Sequence, residues 1–94
     1  MSYDTMKLST VRNPNGTYDF AVGLYTEGER CYYTEYHKEF ASHQEALDYA
    51  SEKTVDYQRT IRFNGLNIAV VYDCKINEYD CLNSEKAVPE SVAA

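Results

Sequence analysis

The amino-acid sequence predicts an α+β domain in which an antiparallel sheet of four or five strands carries one α-helix packed on one face. Three observations predict this class. Residues 17–24 alternate with the period of two that strands show, Ser42 opens a capped helical pattern, and residues 66–73 return to an apolar strand pattern. With 94 residues, 44% of them apolar, the chain can form one modest core. We expect the domain to span 1–82 and a flexible tail to span 83–94.

The first half of the chain is predicted to form three strands joined by tight turns. The first strand covers 6–11, and the turn residues Asn13-Pro14-Asn15-Gly16 follow it. Glu27-Gly28 forms the next turn and leads into a third strand over about 30–40. A loop of two or four residues at this turn predicts a core face made of Phe20, Val22, Leu24, Cys31 and Tyr33. A three-residue loop would instead reverse which side chains of the third strand face the core.

The helix begins at a predicted capping box, in which Ser42 caps the first turn and Glu45 reaches back to the backbone of the cap. A core-facing stripe follows at helical spacing: Ala46, Leu47, Ala50, Thr54 and Tyr57. The end of the helix is open to two interpretations. Either the stripe continues to a C-terminal cap at Asn64-Gly65, or residues 59–63 form a hairpin with 66–73. The strand propensity of 60–63 favours the hairpin. Beyond it, 74–82 is expected to form a short turn or helix.

Charge and cysteine content limit the classes of function. Fifteen acidic residues exceed nine basic ones, so the net charge is −6. This balance argues against nucleic acid and anionic membranes as partners, and it permits docking on a basic protein surface. No apolar run approaches the roughly 20 residues that span a bilayer, and the start of the chain lacks a signal-peptide pattern. We therefore expect a cytoplasmic protein with reduced thiols at Cys31, Cys74 and Cys81.

Motifs for catalysis or metal binding are sparse. The glycines are dispersed rather than grouped in a phosphate-binding loop, and Ser42 serves the helix as its cap. Glu35, His37 and Glu39 share one face of the third strand, an arrangement that could hold a metal ion. A solvated strand end explains the same pattern and is the favoured interpretation. We expect no catalytic residues, no metal and no cofactor.

Tyrosine is the compositional anomaly, with ten residues and no tryptophan. Tyrosine offers a large rigid contact area with a polar tip, and it is enriched at interfaces. Strand alternation sends Tyr32 and Tyr36 to the face opposite Tyr33, where Tyr25 would join them. These rings either bind a partner or cover the sheet, and both interpretations stay open. Stacking on RNA bases would also need a cationic groove, whereas the nearby charges are mostly acidic.

The order of elements resembles a class of small proteins. A strand hairpin, the run Phe40-Ala41-Ser42-His43-Gln44-Glu45-Ala46-Leu47-Asp48-Tyr49-Ala50 and a further strand resemble the layout of small phage-encoded host-takeover inhibitors and anti-CRISPR proteins. The resemblance covers roughly residues 17–72. It implies a viral protein in the host cytoplasm that blocks a larger machine, in some cases as an acidic mimic of nucleic acid. It matches no functional residue one by one.

Taken together, these observations predict a non-catalytic, acidic binding protein that inhibits or modulates a larger protein with a basic surface. The expected contact residues lie on the second and third strands and the acidic turn between them: Asp19, Tyr25, Glu27, Glu29, Tyr32 and Tyr36. The alternative is a small-ligand-binding or self-assembling module, in which a homodimer encloses a tyrosine-lined pocket between its subunits.

Overall fold

The computed structural model describes residues 3–79 and 85–87. Their elements follow in chain order: β1 Thr5–Arg12, β2 Tyr18–Thr26, β3 Glu29–Phe40, α1 His43–Phe63, β4 Ala69–Glu78 and β5 Glu85–Ala87. The strands form one sheet in the order β4-β1-β2-β3-β5. Within the described residues a single helix packs on this sheet, so the predicted α+β class is confirmed. The predicted tail at 83–94 lies outside the described residues except for the three that form β5.

The sheet is mixed, so the prediction of a purely antiparallel sheet is wrong. β2 pairs antiparallel with both β1 and β3, whereas β1 and β4 pair in parallel. The physical reason is the length of α1, which has 21 residues and therefore spans roughly 30 Å. A helix of that length carries the chain back to the end of the sheet where β1 and β3 begin. β4 must then run in the same direction as β1.

The predicted hairpin over 59–63 is wrong, because these residues are helical to Phe63. The body of the sheet accordingly has four strands, β1–β4. The helix ends as the alternative interpretation proposes: the Gly65 N–H donates to the Arg62 carbonyl, and Gly65 has a φ of +68°. Packing favours the helix over the hairpin at these residues, because Ile61 lies against the core and extends the apolar stripe of the helix. The turn or helix predicted for 74–82 is also wrong as far as residue 78, where β4 continues.

The start of α1 is formed by the predicted capping box. The Glu45 N–H donates to Ser42 Oγ at 3.2 Å, and the Ser42 N–H donates to Glu45 Oε2 at 3.3 Å. The helix is polar along most of its surface. Among the residues that the structure describes, no helix is both long enough and apolar enough to cross a membrane.

A β-bulge reverses the predicted facing of β3. Glu27 and Gly28 form a two-residue turn with φ values of +51° and +79°. Tyr25 pairs with Arg30, but Leu24 pairs with Tyr32, so Cys31 is an extra residue in β3. From Tyr32 to Tyr36, the side chains of β3 therefore exchange faces relative to the register of a simple two-residue loop.

The core lies between α1 and the sheet face that α1 covers, which we call the helix face. Its buried residues are Leu8, Phe20, Val22, Ala50 and Val70, with Tyr36, Tyr49 and Ile61 among those packed against them. The opposite side of the sheet, which we call the far face, also carries buried residues. Ser9, Val11, Asp19, Ala21 and Glu35 are all buried there. Buried side chains therefore lie beneath the surface of the far face.

Candidate functional site

The three tyrosines expected to form one binding face do not lie together. Tyr36 pairs with Phe20 across the strands, and their ring centroids are 5.7 Å apart against the core. Tyr32 is on the same helix face but 47% exposed. Tyr25 lies on the far face. The expectation that Tyr33 faces the core is also wrong: Tyr33 pairs with Gly23 and faces away from the helix, because the bulge in β3 shifts the register.

The acidic residues assigned to the same surface have different environments. Asp19 is fully buried, and its Oδ1 accepts the N–H groups of Lys38 at 3.0 Å and Glu39 at 2.9 Å. It therefore supports the end of β3 and is not available to a partner. Glu27 and Glu29 are exposed at the β2–β3 turn. The Glu27 N–H donates to Asp4 Oδ2 at 2.7 Å, and this bond holds the pKa of Asp4 below its ordinary value.

The predicted trio of Glu35, His37 and Glu39 is formed only in part, because His37 contacts Glu39 and its other carboxylate neighbour is Asp19. His37 lies between two carboxylates, with Nδ1 3.7 Å from Asp19 Oδ2 and Nε2 3.4 Å from Glu39 Oε1. Glu39 has a φ of +54°, which is uncommon for a residue other than glycine. Across the described ranges, no group of three or more His, Cys, Asp or Glu side chains is placed to hold a metal ion.

Gly23 creates the first wall of a cleft on the far face. A Cβ at this position would lie 2.9 Å from Cε1 of Tyr25, so only glycine allows the Tyr25 ring to lie against the strand. The Lys7 ammonium nitrogen lies 5.1 Å from the centroid of the same ring. The ring thus orients a lysine on the far face through a cation–π contact.

Tyr33 and Arg30 form the neighbouring part of this wall. The Arg30 guanidinium carbon lies 4.3 Å from the centroid of the Tyr33 ring. Burial, and secondly the negative charge of Glu35, raise the pKa of Tyr33 well above its ordinary value of 10.0. The phenol is therefore protonated at neutral pH, and its hydrogen bond to Glu35 is one in which the phenol donates.

The far-face cleft has a volume of about 390 Å³. Lys7, Gly23, Tyr25, Arg30 and Tyr33 line one side of the cleft. The floor and opposite side come from β1 and β4: Ser9, Asp73, Lys75, Asn77 and Glu78. Sequence reasoning missed the cleft because it placed Tyr33 on the wrong face. The available signal was Gly23, a glycine inside a strand next to a large aromatic residue.

A second feature is an apolar groove between the last turns of α1 and the start of β4, the α1–β4 groove, with a volume of about 480 Å³. Its lining includes Ile61, Leu66, Ile68 and Val70. Exposed apolar side chains continue around it. Five of the six large apolar residues that are exposed in the described part of the chain lie between the second half of α1 and the start of β4: Val55, Phe63, Leu66, Val71 and Tyr72. Leu66 lines the groove and Phe63 ends α1 next to it, whereas Val71 pairs with Lys7 and therefore faces the far side of the sheet.

On the edge of β4 beside this groove, one backbone carbonyl already accepts a hydrogen bond from the protein itself. The Ala69 N–H donates to the carbonyl of Asp4, the residue before β1, so strand alternation directs the Val70 carbonyl away from β1, toward the edge. Gln58 Nε2 donates to that carbonyl at 3.0 Å. A side chain of α1 thus satisfies a group that an added strand would need, which favours contact through side chains over strand addition.

Comparison of the chain with protein-family models, with curated proteins and with solved structures found no match in any of the three. The fold and the two surfaces define the class of molecule, a small acidic α+β domain with an apolar groove on one side and a charged cleft on the other. The function of the protein is therefore inferred from the residues of this chain.

Proposed function

We propose that this protein is a non-catalytic binding protein that attaches to a larger protein through the α1–β4 groove and the exposed apolar side chains around it. One observation carries the proposal: an apolar groove is bordered by two of the most exposed large apolar residues of the described chain, Phe63 at 81% and Leu66 at 53% exposure. Apolar side chains concentrated on one part of a small domain mark a surface that a partner covers. The proposed contact surface therefore moves from the tyrosines of β2 and β3 to α1 and β4.

Charge near Tyr72 favours a partner with basic residues there, although the charged residue that lines the groove itself is Arg62. Burial raises the pKa of the Tyr72 phenol, and the nearby charges of Asp48 and Asp73 contribute to the rise. Tyr72 thus lies near two carboxylates, in a chain whose net charge is −6. A basic surface would complement these carboxylates and steer association.

A second copy of this chain fits the surface less well than a basic partner. Self-association would bring the carboxylates near Tyr72 close to their own copies, and like charges at an interface oppose binding. The Gln58 contact also lowers the tendency of β4 to pair edge to edge with another β4.

Inhibition or modulation of the partner is the further part of the proposal. Its support is the layout of residues 17–72, which resembles phage-encoded inhibitors of host and defence machinery. On that basis the partner is a component of a larger bacterial assembly, and the protein acts by covering part of its surface without chemistry of its own.

The test compares two variants that each remove exposed apolar groups. Phe63→Ser with Leu66→Ser changes the proposed surface, and Tyr32→Ser changes an exposed apolar residue outside it. Tagged wild-type protein is used to isolate a partner from cells of the source organism. The partner is then purified, and its affinity for wild-type protein and both variants is measured by calorimetry at low and high salt.

We expect the double variant to bind at least about tenfold more weakly, the control to bind like wild type, and affinity to fall as salt rises. Thermal unfolding confirms that each variant is folded. Addition of the wild-type protein should also lower or alter the activity of the partner. Equal affinity of the wild type and the double variant would overturn the proposal, and so would a stable homodimer in light scattering that buries this surface.

A further inference from the structure

Three cations line the far-face cleft, and none of them forms an ion pair with a carboxylate of the described residues. Lys7, Arg30 and Lys75 line the cleft. Among the described residues, none of the three has a carboxylate within ion-pair distance. The aromatic rings that contact Lys7 and Arg30 orient their charges but do not cancel them.

This arrangement is unexpected in a chain of this composition. Fifteen acidic residues are available to nine basic ones, so carboxylate partners are in excess. The three cations outnumber the two carboxylates, Asp73 and Glu78, that line the same concavity, so its local potential is positive. A positive concavity attracts an anion.

The two acidic residues of the same cleft already have partners in the protein. Glu78 Oε1 lies 3.6 Å from Arg12, and Asp73 Oδ1 accepts the backbone N–H of Lys75 at 3.0 Å. Glu78 is therefore paired with a cation outside the cleft lining, and Asp73 is held in place by a backbone N–H, whereas the three cations keep N–H donors for a ligand. Ser9 and Asn77 add neutral hydrogen-bonding groups to the lining.

We propose that the far-face cleft binds a small organic anion through a phosphate or carboxylate group, with Lys7, Arg30 and Lys75 as its charged contacts. A guanidinium offers paired donors that match either oxyanion, and charge-assisted hydrogen bonds are the stronger ones. This inference goes beyond the binding of a larger protein, because the cleft lies on the sheet face away from the helix.

The volume of the cleft and the net charge of the chain both favour a small ligand. A volume of about 390 Å³ falls within the roughly 300–1,000 Å³ of small-molecule pockets. A long polyanion would extend beyond the three cations to the rest of a chain whose net charge is −6, and it would be repelled there. A small anion interacts mainly with the cations of the cleft.

The test is a titration of the ¹⁵N-labelled full chain followed by ¹H–¹⁵N correlation spectra. Three probes are used separately: inorganic phosphate, adenosine monophosphate as a phosphate monoester, and citrate as a carboxylate. Two variants each remove one cleft cation, Lys75→Gln and Arg30→Gln. The matched control is Arg59→Gln, which makes the same change of charge at an exposed position on α1.

We expect at least one probe to give saturable shifts centred on the amides of Lys7, Gly23 and Tyr33. The Kd should rise about tenfold in Lys75→Gln and remain unchanged in Arg59→Gln. Preference among the probes then separates phosphate from carboxylate chemistry. Lys75 contacts no ring among the described residues, so its variant stays informative even if Arg30→Gln is unstable. Absence of saturable shifts with all three probes, or equal weakening by Arg59→Gln, would overturn the proposal.

Discussion

Replacement of Asp19 by alanine tests whether a buried carboxylate organises the end of β3. The change removes the acceptor of two backbone N–H groups, those of Lys38 and Glu39, at 3.0 and 2.9 Å. Hydrogen bonds to a charged group each contribute about 1.5–3 kcal/mol. Two such bonds amount to about 3–6 kcal/mol, and removal of a fully buried charge returns part of that sum. We expect a loss of about 3 kcal/mol in the free energy of unfolding.

The assay is urea denaturation followed by circular dichroism, with Asp19→Asn as the matched variant. Asparagine keeps an oxygen at the position that accepts both N–H groups, so it should lose less than half as much stability as alanine. The segment at Glu39, whose φ of +54° is held by this contact, should show faster amide exchange in Asp19→Ala. A loss below about 1 kcal/mol for alanine, or equal losses for both variants, would refute this reasoning.

Two further predictions concern the far face and the hairpin. Gly23→Ala should destabilise the fold by about 1–3 kcal/mol, because the new Cβ would lie 2.9 Å from the Tyr25 ring. Urea denaturation of Gly23→Ala in a Tyr25→Ala background should show most of that loss removed, and additive losses would contradict the steric explanation. The lowered pKa of Asp4 stabilises the fold above its ordinary pKa of 3.8, and this contribution is lost as pH falls through the lowered value. Asp4→Asn should therefore flatten the acid side of the stability–pH curve, and an unchanged curve would contradict the assignment.

Local patterns in the sequence predicted the elements where one physical signal acted alone. The period of two in β2 has no competing helical pattern, and the capping box at Ser42 specifies the start of α1 through side chains only three residues apart. The class of the fold could be predicted for the same reason. At residues 60–63 two signals compete, because strand propensity opposes the continuation of the apolar stripe. The contact of Ile61 with the core decides in favour of the helix.

The candidate sites could be predicted only in part. Ten tyrosines in a small acidic chain indicated that part of its surface binds a partner. Which tyrosine faces which side depends on Cys31, the extra residue of a bulge, and no local pattern distinguishes a bulge from a regular strand. The cleft cations come from three strands, β1, β3 and β4, so their convergence depends on pairings between distant residues.

By itself, then, the sequence determined one acidic domain with an alternating hairpin, a capped helix and a returning apolar strand. These properties follow from interactions within a few residues. The tertiary structure alone decided the direction of β4, the faces of the β3 side chains and the two surfaces proposed for binding. The physical reason is that the direction of β4 follows from packing of the whole helix on the sheet, and the faces of β3 follow from strand pairing, where a shift of one residue exchanges the two faces.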